Sequence, residues 1–446
     1  MNVIYINTHD TGRYIQPYGY PVETPKLMEL AKESTLFRNA YCAAPTCSPS
    51  RAALLTGTAP HSCGMLGLAH RGFYFHDYKQ HLAHMLSNNG FETVLCGIQH
   101  EAQDVSVLGY RRILDDQNYS MGKFKNDWRT FDINNAEKVA NFICEDHSSP
   151  FFLSFGMFST HRDFPEPSEL VNPDYVMPPA TVFDNPDNRL DMAGFLTMAN
   201  TADTCVGIVM KALKESGLED DTIVIFTTDH GIAFPRMKCS LYDTGIGVAL
   251  MIKYPGNKLK GKVSDALVSH VDIIPTIFEL CGIKQEDYFQ GVSLIPLMEG
   301  KNNKVRNQIF AEVSYHVAYE PMRCIRTERY KLIQYFGGYE RFMPSNTDNS
   351  PYKNMMINEG FFNRTRTQVM LFDLYLDPLE RINVAEESDY QNILKDLSNK
   401  LYNWMEETND PLCKGKIIPP EGALVNFPDS LTYAEKVFIS DWEDLV

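Results

Sequence analysis

The stretch TIVIFTTDHG, residues 222–231, decides the fold. From Thr222 to Thr227 it is apolar or β-branched, with no polar alternation. A strand with one wet face alternates. A continuous short run of this kind reads as a strand buried on both faces, as in a parallel sheet covered by helices. The run ends in Asp229-His230-Gly231, so two cation-binding side chain types follow it directly. VIYIN at 3–7 has the same character and runs into a Thr-His-Asp-Thr-Gly turn at 8–12.

Outward from these two strands, the pattern alternates. TPKLMELAKEST predicts a helix over 25–38, with Thr24 as N-cap and Pro25 at its first position. SRAALLT at 50–56 reads as the start of another, behind Pro49. Residues 81–89, 134–145, 193–216 and 271–281 read as helices, and 92–96, 151–155 and 248–252 as strands. Such alternation predicts an α/β fold with a mostly parallel central sheet flanked by helices. Sites in these folds form on loops at the C-terminal strand ends. Near residue 305 the helices drop out. Residues 308–313, 322–326, 330–335 and 368–373 read as short strands, and 389–407 as a last helix. Two units are therefore expected: an α/β catalytic domain over 1–305, and a smaller antiparallel sheet with one helix over 306–446.

Composition narrows the function. The 446 residues are 44% hydrophobic and 22% charged, which suits a globular chain with a large core. The net charge of −16 argues against nucleic-acid binding, which needs Lys and Arg to neutralise phosphates. No run of about 18 apolar residues is present, so no transmembrane helix is expected. Ten cysteines are scattered without a C-x-x-C pair, as reduced thiols usually are. No secretory leader precedes VIYIN, which predicts a cytoplasmic location.

Four loops after strands carry polar clusters: His9-Asp10, His100-Glu101, His161-Arg162-Asp163 and Asp229-His230. One histidine after a strand is usually structural; four such clusters at equivalent places point to a shared site. Their oxygen and imidazole donors suit a divalent cation. A fifth element is Cys47-Ser48-Pro49-Ser50-Arg51, followed by Leu54-Leu55-Thr56-Gly57. Cys47 is then either a buried thiol or a nucleophile at a helix N-terminus, where free N–H groups favour an anion.

Cys-x-Pro-Ser-Arg with its Leu-Leu-Thr-Gly sequel resembles the signature of the type I sulfatases, whose fold is the alkaline-phosphatase-like sandwich. Supporting matches are Thr228 to Gly231, and Leu371-Phe372-Asp373-Leu374 through Asp377-Pro378-Leu379-Glu380 to Asn383. Phe226-Thr227, Phe234-Pro235 and the Trp404 to Cys413 segment are similar to the family's sulfamidase branch. The resemblance implies that Cys47 is oxidised to formylglycine (3-oxoalanine) by a maturation enzyme. It implies Asp10, Asp229 and His230 as metal ligands beside residue 47, and Arg51 as the group holding the hydrated aldehyde. His100, His161 and Lys238 match positions that handle protons and sulfate. The implied cation is calcium.

Two departures stand out. His9 occupies a position where the family has Asp; as a ligand, it would soften the site toward Mn or Zn. Ile98 replaces the lysine of a Lys-x-His motif, which leaves Gln99 or Glu101 to face the substrate. His316 and Glu320 are expected to bind the sugar. The predicted reaction is sulfate removal from a small sulfated saccharide, with N-sulfoglucosamine of heparin or heparan fragments foremost. A sugar O-sulfatase, or a phosphodiester or phosphonate monoester hydrolase, is the alternative. The oligomeric state is not legible.

Overall fold

The computed structural model describes residues 1–115 and 127–435. Its main sheet has eight strands in the order Lys262–Ser264, Thr35–Phe37, Leu250–Lys253, Thr222–Thr228, Asn2–Thr8, Phe151–Gly156, Glu92–Gly97 and Arg112–Ile113. The central strands pair in parallel, and only Leu250–Lys253 runs against its neighbours. Every residue of Asn2–Thr8 and Thr222–Thr228 is buried, as an uninterrupted apolar run requires. Val3, Tyr5, Ile223 and Ile225 face the layer that holds Leu54, Leu55, Ile274 and Phe278. Ile4, Ile6, Val224 and Phe226 face the opposite layer, with Leu27, Val139 and Val206. The sheet is thus sandwiched, and register Thr8↔Thr228 brings the His9-Asp10 and Asp229-His230 turns side by side.

Local differences from the expected elements have physical reasons. The first helix is Pro25–Glu33, shorter than predicted, because Thr35-Leu36-Phe37 is β-branched and apolar and enters the sheet beside Lys262–Ser264. Thr24 does precede this helix, but its hydroxyl accepts from the Gln16 amide at 2.9 Å instead of capping the helix. The predicted strand at 248–252 divides at Ala249. Gly247–Val248 joins a ribbon with Ala40–Tyr41 and Val268–Ser269, and Leu250–Lys253 joins the main sheet. Helices Trp128–Ile143 and Pro186–Glu215 begin earlier than their apolar periodicity suggested. Side-chain caps from Asp127 and Asn185 set those starts.

The smaller sheet is antiparallel in chain order: Gln308–Tyr315, Tyr319–Thr327, Tyr330–Tyr335 and Val369–Asp373. Helix Gln391–Glu407 covers it, packing Leu397, Leu401 and Met405 on Ile325, Leu332 and Leu371. Between its last two strands, residues 336–368 leave the sheet and carry helix Pro351–Asn358. Two buried ionic clusters tie the sheets together. In one, Arg323 holds Asp410 through two contacts of 2.5 and 3.0 Å, with Glu312 at 3.4 Å; His61 joins both carboxylates. In the other, Lys331 lies 2.6 Å from Asp243 and 2.8 Å from Glu380. Among the described residues, no helix is long and apolar enough to cross a membrane.

His81 gives the fold an acid limit. Its Nδ1 accepts from the Ala83 amide at 3.2 Å and caps helix Leu82–Asn88, so this nitrogen must be unprotonated. Burial, with His84 nearby, pulls its pKa down to about 3. A depressed folded-state pKa means that the unfolded chain binds more protons below about 6.5, so stability falls as pH falls from there toward 3. The expected slope from this residue is about 1.4 kcal/mol per pH unit. Denaturant unfolding of His81→Asn between pH 6.5 and 4 should show a slope shallower by about that amount. An unchanged slope would refute this assignment.

Candidate active site

Glycine sets the first part of the geometry. A Cβ on Gly156 would lie 1.9 Å from the Ile98 carbonyl, and one on Gly97 2.0 Å from the Gly156 carbonyl. Only backbone fits there, so two strand ends close on each other and bring the His100 turn over the His9 turn. The rings of His9 and His100 meet edge to face at 4.7 Å. His161 arrives on the loop after Phe151–Gly156. Asp132 fixes that loop by accepting from the Phe158 and Ser159 amides, both at 2.8 Å, and from the Ser159 hydroxyl at 2.6 Å. The ring of His161 lies 4.4 Å from that of His9.

Cys47 opens helix Cys47–Thr56, where the first amides have no partner within the helix. Its sulfur is buried, 3.2 Å from His9 Nε2. The helix N-terminus favours a thiolate, but burial and the facing Asp10 and Asp229 carboxylates push the thiol pKa up, against the pull of Lys238 and Arg51.

One helical turn on, Arg51 donates Nε to Asp229 Oδ2 at 3.3 Å and Nη1 to the Ile98 carbonyl at 3.3 Å. With the Asn7 amide turned to satisfy both its ends, its oxygen accepts from Arg51 at 3.1 and 3.0 Å. Glu101 stands 4.0 Å away. Burial raises the Glu101 pKa to about 6, even with Arg51 beside it. Gln99 does not face a substrate: its side chain closes its own turn through Glu101 N, Ala102 N and the Ala102 carbonyl.

Asp10 is the centre of the cluster. Its backbone is left-handed at φ 57°, which aspartate tolerates, and its amide donates to Asp229 Oδ1 at 2.8 Å. Its Oδ2 accepts from Lys238 Nζ at 2.8 Å, while Oδ1 faces His230 Nε2 at 3.3 Å. His230 Nδ1 donates to the Gly231 carbonyl at 3.0 Å, so Nε2 carries the lone pair. Both Asp10 Oδ1 and His230 Nε2 are buried and without a hydrogen-bond partner. A cation between them would satisfy both atoms. Asp10, Cys47, Asp229 and His230 offer donor atoms that all lie within 4.8 Å of one another, as do His9, Asp10, Cys47 and His161. The donor set fits a divalent ion, and His9, 3.3 Å from Asp229 Oδ2, lies within this cluster.

Lys238 is held between Asp10 and Asp348, the latter at 3.1 Å, with His161 Nε2 at 3.3 Å. Burial disfavours its charge, but the two carboxylates outweigh that and keep its pKa well above the usual lysine value. Burial and Lys238 lower the pKa of His161. Burial and Arg51 likewise lower that of His100. His316 borders the group, its pKa held well down by burial and Lys238. Glu320 does not enter the group. It lines a pocket of about 50 Å³ that Lys238 also lines, and binds Asn346 at 2.9 Å and Arg366 at 3.4 Å. Sequence reasoning missed Asp348, Asp132 and Asn7. Asp348 sits in NTDNSP, which reads as a helix start and carries no signal of a distant partner.

A nucleophile position, a cation cradle and two fixed positive groups therefore converge at the C-terminal edge of the sheet. Comparisons with known proteins agree. The model of the Sulfatase family matches residues 1–283, and that of the N-sulphoglucosamine sulphohydrolase C-terminal region matches 230–361. Human N-sulphoglucosamine sulphohydrolase is 28% identical over 90% of this chain and 88% of its own. An ulvan-active sulfatase of Formosa agariphila is 27% identical over 95% and 77%. A solved protein in complex with its substrate D-glucosamine-2-N,6-O-disulfate superposes with a TM-score of 0.70 at 19% identity, covering 93% of this chain and 99% of that one. The phosphonate monoester hydrolase of Agrobacterium radiobacter also gives 0.70 at 19%, over 91% and 96%, and so shares the fold. With the match running from the first strand through the cysteine helix to the Asp229-His230 turn and beyond, the chain belongs to the sulfatase family and is a sulfuric ester or sulfamate hydrolase.

Proposed function

We propose that the chain removes sulfate from a small sulfated saccharide, foremost the N-sulfate of a terminal glucosamine, after a maturation enzyme converts Cys47 to formylglycine. The observation that carries the substrate is the match of residues 230–361 to the C-terminal region of N-sulphoglucosamine sulphohydrolase. That span includes Lys238, His316 and Glu320, and no part of the cysteine signature. Residues 1–305 then form the catalytic unit, and 306–446 the unit that walls the pocket, of which 436–446 lie outside the described residues.

Formylglycine supplies what the thiol lacks, a hydroxyl nucleophile with a built-in route to release sulfate. Asp10, Asp229 and His230, with His9 adjoining, would hold a divalent cation, which when bound would supply Lewis-acid polarisation of the sulfate and a lowered pKa of that hydroxyl. Calcium is the family's ion; the imidazole donors also admit manganese or zinc. The protein's own groups do the rest. Arg51 cannot lose its proton, and its three anchors aim it at the nucleophile position. Lys238, protonated by virtue of its two carboxylates, offers positive charge to sulfate oxygens. His161 points Nδ1 at the Arg162 carbonyl and keeps Nε2 for proton exchange. An anionic sulfate entering beside it raises its proton affinity, so it gains a proton as substrate binds and can pass it to the leaving nitrogen or oxygen. His100, neutral through burial, is placed to accept a proton from the nucleophile.

The charge balance suits a short substrate. Among the described residues, Asp10, Asp229, Glu101 and Asp348 have Arg51 and Lys238 as their Lys/Arg partners, two charges against four, so a bound cation would supply the remaining positive character and confine it to the pocket. The net charge of −16 over the whole chain repels long sulfated chains. Turnover of N-sulfoglucosamine, glucosamine 6-sulfate and an aryl phosphate diester tests the reading. N-sulfoglucosamine is expected to give a kcat/KM at least about 10-fold above the others, a difference of about 1.4 kcal/mol in transition-state binding. Faster release from the 6-sulfate would make the protein an O-sulfatase, and faster phosphate-diester cleavage would overturn the sulfatase substrate.

A further inference from the structure

The group that the sulfatase signature leaves unexplained is Asp348. It comes from the 336–368 excursion of the smaller sheet, yet it reaches Lys238 of the main unit at 3.1 Å. One of its oxygens, Oδ2, helps keep Lys238 charged; the other is left to meet a part of the substrate that is not anionic. Its Oδ2 is buried against Lys238, while the side chain as a whole is 21% exposed. The accessible part is therefore the other side of the carboxylate, where no hydrogen bond from the described residues reaches Oδ1. Asp10, Lys238 and Asp229, by contrast, are sealed.

The excursion is built to hold this one side chain still. Asn346 accepts from the Val317 and Ala318 amides at 3.0 and 2.8 Å and donates to Glu320 at 2.9 Å. Lys353 donates to the Thr347 carbonyl at 2.7 Å and to Asn349 at 3.1 Å. Ser350 caps helix Pro351–Asn358 through the Lys353 amide at 3.1 Å. Residues on both sides of Asp348 are thus pinned, and the lysine that pins two of them is pulled by burial to a pKa of about 8. A surface loop with no task would not need such support.

We infer that Asp348 is a specificity-determining residue that receives the amino group of the sugar through its free carboxylate oxygen. This deepens the N-sulfoglucosamine reading and rests on it. When the S–N bond of a sulfamate breaks, nitrogen keeps the electron pair and takes one proton to become an amine, then a second from water to become an ammonium. A buried-edge carboxylate accepts both the N–H of the substrate and the ammonium of the product, whereas a sugar hydroxyl offers it a weaker, uncharged donor. His316, neutral and on the same wall, adds no competing charge.

The test is a direct titration of the metal-loaded protein with glucosamine, glucose and inorganic sulfate, at a pH where glucosamine is protonated. Wild type is expected to bind glucosamine at least about 10-fold tighter than glucose. Asp348→Asn should level the two sugars, Asp348→Glu should restore part of the preference, and sulfate should bind Asp348→Asn no more weakly than wild type. Equal affinity of wild type for both sugars overturns the proposal without any variant. A preference that survives in Asp348→Asn overturns it too. Sulfate binding lost in Asp348→Asn would show that the residue only props Lys238, and would also overturn it. Turnover of the sulfated sugars is measured apart, so a failed N-sulfate reading and a failed Asp348 assignment give different results.

Discussion

Cys47→Ala is expected to lower sulfate release by at least about 10⁴-fold, because it removes the only nucleophile position in the cluster rather than weakening a contact. Among the described residues the nearby groups are poor substitutes, and burial pushes the neighbouring Cys239 thiol well up in pKa. His9, 3.2 Å from the sulfur, and His100 behind it are neutral imidazoles, and Ser48 and Ser50 are committed elsewhere. The Ser48 hydroxyl accepts from the Ala69 amide at 3.0 Å, and the Ser50 hydroxyl donates to the Asp229 carbonyl at 2.5 Å. The fold should survive, since one sulfur is lost from a helix start and Asp10 keeps its bonds to Lys238 and Asp229. Circular dichroism and sulfate release on the same sample check both halves. Residual release above about one hundredth of wild type would place the nucleophile elsewhere.

Arg323→Met should be the most destabilising single change outside the site. The guanidinium is fully buried and serves Asp410, Glu312, the Val313 and Met322 carbonyls and the Ser314 hydroxyl. Methionine fills the space but leaves two carboxylates in a site closed to water, next to His61. Breaking a buried ionic cluster by removing one partner costs about 3–5 kcal/mol. The loss falls where Pro60–Cys63 of the main unit meets the smaller sheet, so undocking of that sheet is expected first. Guanidinium unfolding followed separately by Trp404, which stacks on Phe310 at 4.7 Å, reads this locally. A loss under about 1 kcal/mol would mean that the cluster is dispensable.

How much of this was legible beforehand depends on the range of each interaction. The central strands were, because Val3–Ile6 and Thr222–Thr227 are buried on both faces and show it as unbroken apolar runs. The clusters His9-Asp10, His100, His161 and Asp229-His230 were legible as a group, since parallel strands bring their C-terminal ends to one edge. The pentapeptide at Cys47 was legible by resemblance alone. Its physics gave two open readings, a buried thiol and a nucleophile at a helix N-terminus.

The rest was hidden for identifiable reasons. Thr35–Phe37 is three residues long and owes its strand state to Lys262–Ser264, more than two hundred positions away. Gln99 was one of two residues, with Glu101, expected to face the substrate, because a turn closed by its own side chain looks, in one dimension, like any polar residue beside a histidine. Asp348 acts through one long-range contact to Lys238 and Asp132 through three bonds to Phe158 and Ser159, for which composition and period carry no trace. Glu320 was the reverse case: a buried carboxylate near the pocket in sequence terms, yet spent on Asn346 and Arg366.

The Cys47 peptide, isolated from protein matured in its native host and weighed by mass spectrometry, tests the chemistry at its root. Conversion of CH₂SH to CHO, which creates the aldehyde nucleophile, predicts a mass lower by about 18 Da than the thiol form. An intact thiol at Cys47 in protein that releases sulfate would contradict it.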